Sequence, residues 1–220
     1  MAHGEASLGR ARTDPRWVRT RGALVAAVVA AASERPIDRI SLAELATAAG
    51  VSRSTVYEHA ASARDLLETM LRSELEAIRL ARFEGLPPER IAEATAAATR
   101  DVIEHVERYE GVYRRGLDPD AGAGSLHAML SAQFAESVRM LLRAHDLDPG
   151  VPLPPGADAA VLEEIVVRGV ADGAVGQISA WIAGPGPHDR ELFLTVNARL
   201  LPTWWAVGEP PPRPESAGGD

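Results

Sequence analysis

Seven consecutive residues, Arg53 to His59, carry a guanidinium, two hydroxyls, a phenol, a carboxylate and an imidazole, with Val56 as the one apolar member. On a helix that spacing turns Val56 inward and leaves Arg53, Ser54, Thr55, Tyr57, Glu58 and His59 facing outward. A face so rich in hydrogen-bonding groups has the chemistry of nucleic-acid recognition. The elements needed to hold it lie just upstream, in SLAELATAAGVS (Ser41–Ser52). Ser41 and Glu44 form a capping box, and Leu42, Leu45 and Ala46 give the helix they open an apolar face, with Ala46 small enough for a close crossing. Gly50 supplies the positive φ of a sharp turn, Val51 plugs the corner, and Ser52 caps the second helix. Helix, glycine turn and donor-rich helix together build a helix-turn-helix DNA reader. The competing reading is an ordinary helical hairpin. The agreement of the capping box, Ala46, Gly50, Val51, Ser52 and the reading face argues against it.

The rest of the chain carries little catalytic chemistry. Its histidines, His3, His59, His105, His127, His145 and His188, show no metal-ligand spacing. There is no Walker loop and no G-x-S-x-G elbow, and Gly122-Ala123-Gly124 lacks the third glycine of a dinucleotide loop. No cysteine is present, which removes disulfides and thiolate sites. The expectation is a protein that is not an enzyme and needs neither cofactor nor metal.

At 220 residues the chain has room for a small module and one larger domain, and its Ala, Leu and Val content with few aromatics favours helices. All basic residues are Arg, which fits the codon bias of a GC-rich genome. The net charge of −8 argues at first against a DNA partner, but its distribution does not. Residues 1–64 hold nine Arg and six Asp or Glu, a balance of +3, whereas the remainder holds fourteen Arg and twenty-five acids, a balance of −11. A basic module on an acidic body suits approach to DNA in one orientation, although acidic surfaces also serve solubility alone.

Arg16, Arg19 and Arg21 followed by ALVAAVVAAAS (Ala23–Ser33) imitate a secretory signal. The run is too short to span a bilayer, and Asp14-Pro15 offers an N-cap and first-turn proline for a helix that begins before the arginines. The expected location is therefore cytoplasmic, without a membrane partner. The organisation expected is a disordered basic arm over 1–14 with Arg10 and Arg12, a helix-turn-helix domain over 15–65, a larger helical domain over 66–207, and a flexible Pro-rich tail over 208–220. Helices are expected near 15–33, 42–48, 53–59, from Ser62, from Pro87 to about Tyr109, at 111–117, 126–145, 158–183 and from Asp189. Asp118-Pro119, the stretch LDPGVPLPPG (Leu147–Gly156) and Gly184-Pro185-Gly186-Pro187 interrupt them.

These residues resemble the TetR (tetracycline repressor) family of transcription regulators. The resemblance lies in Thr20-Arg21 with Ala27, Ser41-Leu42 with Leu45-Ala46, Ala49-Gly50-Val51-Ser52, Thr55-Val56-Tyr57 with His59, and Ser62 with Leu66-Leu67. It implies an all-α fold, with an N-terminal three-helix helix-turn-helix module and a helical body that binds a small molecule and dimerises. By that resemblance Thr55, Tyr57, His59 and the amides at the start of the Ser41 helix hold phosphates, and Arg53, Ser54 and Glu58 meet base edges; Arg21, Ser41, Ser52 and Arg64 complete the expected DNA-binding set. Arg53 can fork onto guanine, Ser54 can bond to either base type and Glu58 can accept from cytosine. Glu58 departs from the family pattern, because a carboxylate facing DNA is repelled unless it finds such a donor or pairs with Arg64. Ala31 and Ala60 stand where the family carries aromatics, a loss worth about 3–5 kcal/mol unless the helices close up or Trp17 fills the gap. Ala63 replaces a usual Lys, which removes any phosphate contact there.

The stretch from Asp158 to Ala183 is apolar over more than one face, and Gly169, Gly173 and Gly176 each cost about 0.8–1 kcal/mol relative to Ala. Close approach across a dimer axis is one reason to keep them, and ordinary packing within one chain is the other. The expected dimer interface comprises Gly169, Gly173, Gly176, Trp181, Phe193, Val196 and Leu200. Two reading helices spaced by a turn of the duplex, ~34–36 Å, recognise a near-palindromic operator where one reads too few bases. Tyr109, Tyr113, Met129, Gln133, Phe134 and Trp181 are the candidates to line a small-molecule cavity, with plain core packing as their alternative. The expected function is a ligand-responsive repressor of double-stranded operator DNA. The alternative is a non-sensing DNA binder whose body only dimerises or binds a protein partner.

Overall fold

The computed structural model describes residues 14–118, 124–145, 147–184 and 186–202. The expected arm at Arg10 and Arg12, Pro119, Pro185 and the tail from 208 lie outside these residues. The described residues form helices without strands. In α1 (Pro15–Glu34), Asp14 accepts from the Arg16 amide at 2.7 Å and Pro15 sits where its missing N–H is harmless. Leu24, Val28 and Ala32 are buried at four-residue spacing. The signal-like run is thus the inner stripe of a structural helix.

A 3₁₀ turn at Ile37–Arg39 leads into α2 (Leu42–Ala48), whose capping box forms with both hydrogen bonds in place. Here Ser41 and Arg35 bond to Glu44 and hold its carboxyl down to about 2. Gly50, at φ +66°, ends α2 in a Schellman motif: the Val51 amide bonds to the Ala46 carbonyl at 2.9 Å and the Gly50 amide to Thr47 at 3.2 Å. Nothing lies within 4 Å of where a Cβ would point at Gly50, so the turn needs glycine for its backbone alone. Ser52 then caps α3 (Arg53–His59).

Helix α4 (Ala63–Phe83) is capped by Ser62 and runs from the reading module into the body, burying Leu66, Leu67, Met70, Leu71 and Leu75 along one stripe. A 3₁₀ turn at Pro88–Arg90, rather than the α-helical turn expected from Pro87, introduces α5 (Ile91–Arg108). The Pro88 ring drives Pro87 out of the α region into an extended conformation, at φ −75° and ψ 150°, so no helix can open at Pro87 itself. The chain continues through α6 (Glu110–Gly116), α7 (Gly124–His145), α8 (Ala159–Ala183) and α9 (Arg190–Leu200). No described helix is long and apolar enough to cross a membrane.

One core cluster reaches from Leu24 in α1 to Phe193 in α9, so module and body share buried surface. Helix α6 is the wedge between them. A Cβ on Gly111 would stand 2.8 Å from Ser33 Cβ of α1, and the Arg115 Nε donates to the Ser33 carbonyl at 3.4 Å. Gly116 is equally constrained by Leu126 of α7. Glycine at these two positions is what allows α6 to touch both sides.

Candidate functional site

Helix α3 rests on the core through Val56, fully buried and alone in that respect among its seven residues. Its outward side presents Arg53, Ser54, Glu58 and Tyr57, the last 65% exposed. The Ser52 hydroxyl accepts from the Thr55 amide at 3.1 Å and lies 2.8 Å from the Ser54 and Thr55 hydroxyls. These three oxygens form one small knot at the helix start. Glu58 is exposed and makes no ion pair among the described residues; Arg64 is held instead by Asp38 at 2.6 Å, with Glu68 at 3.6 Å. Pairing of Glu58 with Arg64 is therefore corrected: Asp38, in the turn before α2, outcompetes it.

Three residues expected to touch DNA are engaged within the protein. Arg21 lies over the Trp17 ring at 5.5 Å and donates to the His59 carbonyl at 3.4 Å, joining α1 to the last turn of α3. The Ser41 hydroxyl is committed to Glu44. The His59 ring stacks on Trp17 at 4.8 Å, and its Nδ1 is enclosed without a partner. Burial, reinforced by the Arg21 charge, lowers its pKa, so His59 is a neutral ring at pH 7. Trp17 thus supports the end of α3 and does not fill the space at Ala31. At Ala60 the helices close up and bury the methyl, whereas Ala31 lines an open, alanine-walled groove with Ala27, Ala30, Ala48 and Ala49.

The body contains a cavity of about 130 Å³ between α4, α5, α7, α8 and α9. Of the sequence candidates, Gln133 and Phe134 line it, together with Arg79, Thr95, Thr99, Ser137 and Asn197 among apolar neighbours such as Ile103 and Val138. The other sequence candidates lie elsewhere. Met129 is buried in the core, and Trp181 packs on His188 and Phe193 at the α8–α9 corner while its indole N–H donates to the Asp189 carbonyl at 3.1 Å. The missed residues carried a signal: Thr95/Thr99 and Gln133/Ser137 are polar pairs at i, i+4 on otherwise apolar helix faces.

Tyr109 and Tyr113 belong to a network that sequence reading did not find. His105 of α5 is only 2% exposed; its Nδ1 faces Glu74 of α4 at 3.2 Å and its Nε2 lies 2.8 Å from the Tyr113 hydroxyl of α6. The carboxylate fixes the proton on Nδ1, so Tyr113 donates to Nε2, and Tyr109 donates to Glu74 at 2.9 Å. Burial lowers the His105 pKa against the opposing pull of Glu74 and raises that of the Tyr113 phenol. Among the described residues no cluster of His, Asp or Glu converges as a metal site would require.

On α8, Gly169, Gly173 and Gly176 open onto free space, with nothing within 4 Å of a built Cβ. Val161 and Ile165 of α8 and Leu192, Val196 and Leu200 of α9 are exposed. Phe193 is turned inward and 7% exposed, and Trp181 is tied to the corner, so neither is a free surface group of the protomer.

Residues 24–70 match the family described as bacterial regulatory proteins, tetR family. Among solved structures, a tetR-family transcriptional regulator from Streptomyces coelicolor is similar at 22% identity and TM-score 0.51, covering 82% of this chain and 76% of that one. The dihydroxyacetone kinase operon activator DhaS is similar at 10% identity and TM-score 0.54, covering 82% of this chain and 93% of that one. No curated protein matches the sequence.

Proposed function

From the premise that this chain is a DNA-binding transcriptional regulator of the TetR family, we propose that it is a homodimeric, ligand-responsive repressor. Without ligand, two α3 helices sit in successive major grooves of a near-palindromic operator. Arg53, Ser54 and Glu58 meet base edges, while Thr55 and Tyr57 face phosphates; His59, stacked on Trp17, holds the end of α3 rather than a phosphate. Such a protein works in the cytoplasm, where its DNA is. The reading-helix role rests chiefly on the exposed polar face of α3 held by a single buried valine. Arg21, Ser41, Ser52 and Arg64 serve this face by holding it, through the internal bonds described above.

The cavity favours a sensor over a body that only dimerises. Its walls include α4, which begins beside α3, so an occupant that prefers a different α4 position changes the separation of the two reading helices. Only such a differential preference shifts the population. The dimer reading rests on the exposed apolar and glycine stripes of α8 and α9, where Gly169, Gly173, Gly176, Val196 and Leu200 are open.

Two outcomes test this reading. Against an operator selected from a random DNA pool, Arg53→Ala costs about 1–3 kcal/mol and relaxes sequence preference, whereas Tyr57→Ala weakens all sequences alike by about 1 kcal/mol. Anisotropy titrations on specific and random duplexes separate the two; equal losses for Arg53→Ala would remove its base-reading role. In sedimentation at micromolar concentration the protein runs as a dimer and Ile165→Glu as a monomer. A monomeric unsubstituted chain contradicts the dimer.

A further inference from the structure

The cavity walls restrict the chemistry of what they can hold, an inference that rests on the sensor reading above. The hydroxyl of Thr99 donates to the Thr95 carbonyl at 2.9 Å and that of Ser137 to the Gln133 carbonyl at 3.2 Å. Each hydroxyl has one proton, already committed, and keeps only lone pairs. The Gln133 amide is oriented by a carboxylate, since its Nε2 donates to Glu76 at 3.0 Å. Its Oε1 is left as an acceptor beside one remaining N–H, and Asn197, whose Nδ2 donates to Gln177 at 3.1 Å, likewise keeps one N–H and its Oδ1. The one charged lining group, Arg79, is neutralised by a two-point pair with Glu76, whose pKa that guanidinium lowers, and its third contact is to Met140. An incoming anion must therefore compete with a carboxylate already in place. An incoming cation gains no unpaired carboxylate among the lining residues.

We propose that the cavity takes an uncharged, mainly apolar molecule of about one aromatic ring that carries a hydroxyl or N–H donor, bound by the Thr99, Ser137 and Gln133 oxygens. The scale follows from volume: the cavity is about 130 Å³, and an engineered apolar cavity of ~150 Å³ accepts benzene. Donor groups on the ligand meet acceptors that are otherwise left to water, whereas acceptor-only or charged ligands leave them unpaired.

The experiment is calorimetry on the full chain with four probes of equal heavy-atom count: 1-phenylethanol, acetophenone, benzoate and 1-phenylethylammonium. The alcohol should bind about three- to tenfold tighter than the ketone and at least about tenfold tighter than either ion. Ser137→Ala and Thr99→Val should each erase part of the alcohol-over-ketone preference, and Ala98→Phe, which fills the space, should abolish binding of all four. Equal or tighter binding of the ketone or an ion overturns the proposal, as does a preference unmoved by Ser137→Ala and Thr99→Val. Binding by none of the four in a chain that still binds DNA also overturns it. DNA binding is measured alongside: a chain that prefers the alcohol yet binds no DNA upholds the ligand class and sinks the repressor reading.

Discussion

A chain carrying Val56→Asp should retain nearly all of its helical ellipticity and lose DNA affinity by about two to three orders of magnitude on every sequence. The reason is geometric. Helix α3 has seven residues and one buried side chain, so its hold on the core rests chiefly on Val56, with the Arg21–His59 bond and the Trp17–His59 ring contact only at its last turn. A carboxylate at that point is an uncompensated buried charge worth about 3–5 kcal/mol, and the protein relieves it by releasing α3 rather than by unfolding α1 and α4. Val56→Ala, which removes only two methyl groups, should fall between the variant and the unsubstituted chain. Circular dichroism checks the first half and anisotropy on specific and random duplexes the second. Val56→Asp binding DNA within tenfold of the original chain would show that α3 is not held in this way.

The second large effect concerns the network in the body. His105→Ala should destabilise the protein by about 3–5 kcal/mol, because it opens a space in a closed core, leaves the Tyr113 hydroxyl without its partner and leaves Glu74 Oε2 with only Arg108, 3.8 Å away. In thermal melts that corresponds to a fall in Tm of about 10 °C. The pH dependence carries a separate signature. Burial lowers the folded pKa of His105 below the ordinary histidine value near 6.5, while Glu74, Arg108, Tyr109 and Tyr113 surround it. Below that pH the unfolded chain takes up a proton that the folded chain refuses, so stability is lost as pH falls from about 7. His59, with its pKa also lowered, adds a loss of the same sign. The variant should therefore show a shallower acid loss than the unsubstituted chain, not a flat one. An identical slope in both would mean that His105 is not neutral in the folded state.

Functionally the network matters because Glu74 lies on α4, His105 on α5 and Tyr113 on α6. It pins the helix that leaves the DNA module to the wedge that touches Ser33 of α1. Under the proposed sensor role, a movement of α4 has to carry these bonds with it or break them. The Val56 and His105 substitutions therefore act on opposite ends of one mechanical path.

The DNA-reading end was legible residue by residue. Ser41 with Glu44, Gly50, Ser52 and Ser62 are local signals, each satisfied by backbone groups within a few positions, and the helices 42–48 and 53–59 follow from them. The interior partnerships were not legible. His105 looked like one of six scattered histidines, because the groups that make it a linchpin are thirty-one residues before it and eight after it in sequence. Trp17, one of the two ways the sequence offers to offset Ala31, stacks on His59 instead, because α1 carries the two positions at opposite ends.

By itself, then, the sequence determined the helices, their caps and turns and the exposed polar face of α3, all of which depend on contacts within one or two helical turns. The tertiary structure decided which side chains are free to act. It turned Arg21 and Arg64 to internal partners, placed Tyr113 in a buried network and Phe193 inside the protomer, and opened a cavity at Thr99, Gln133 and Ser137. Helical periodicity tells which face of a helix is covered but not which distant helix covers it, and that identity fixes each group's partners.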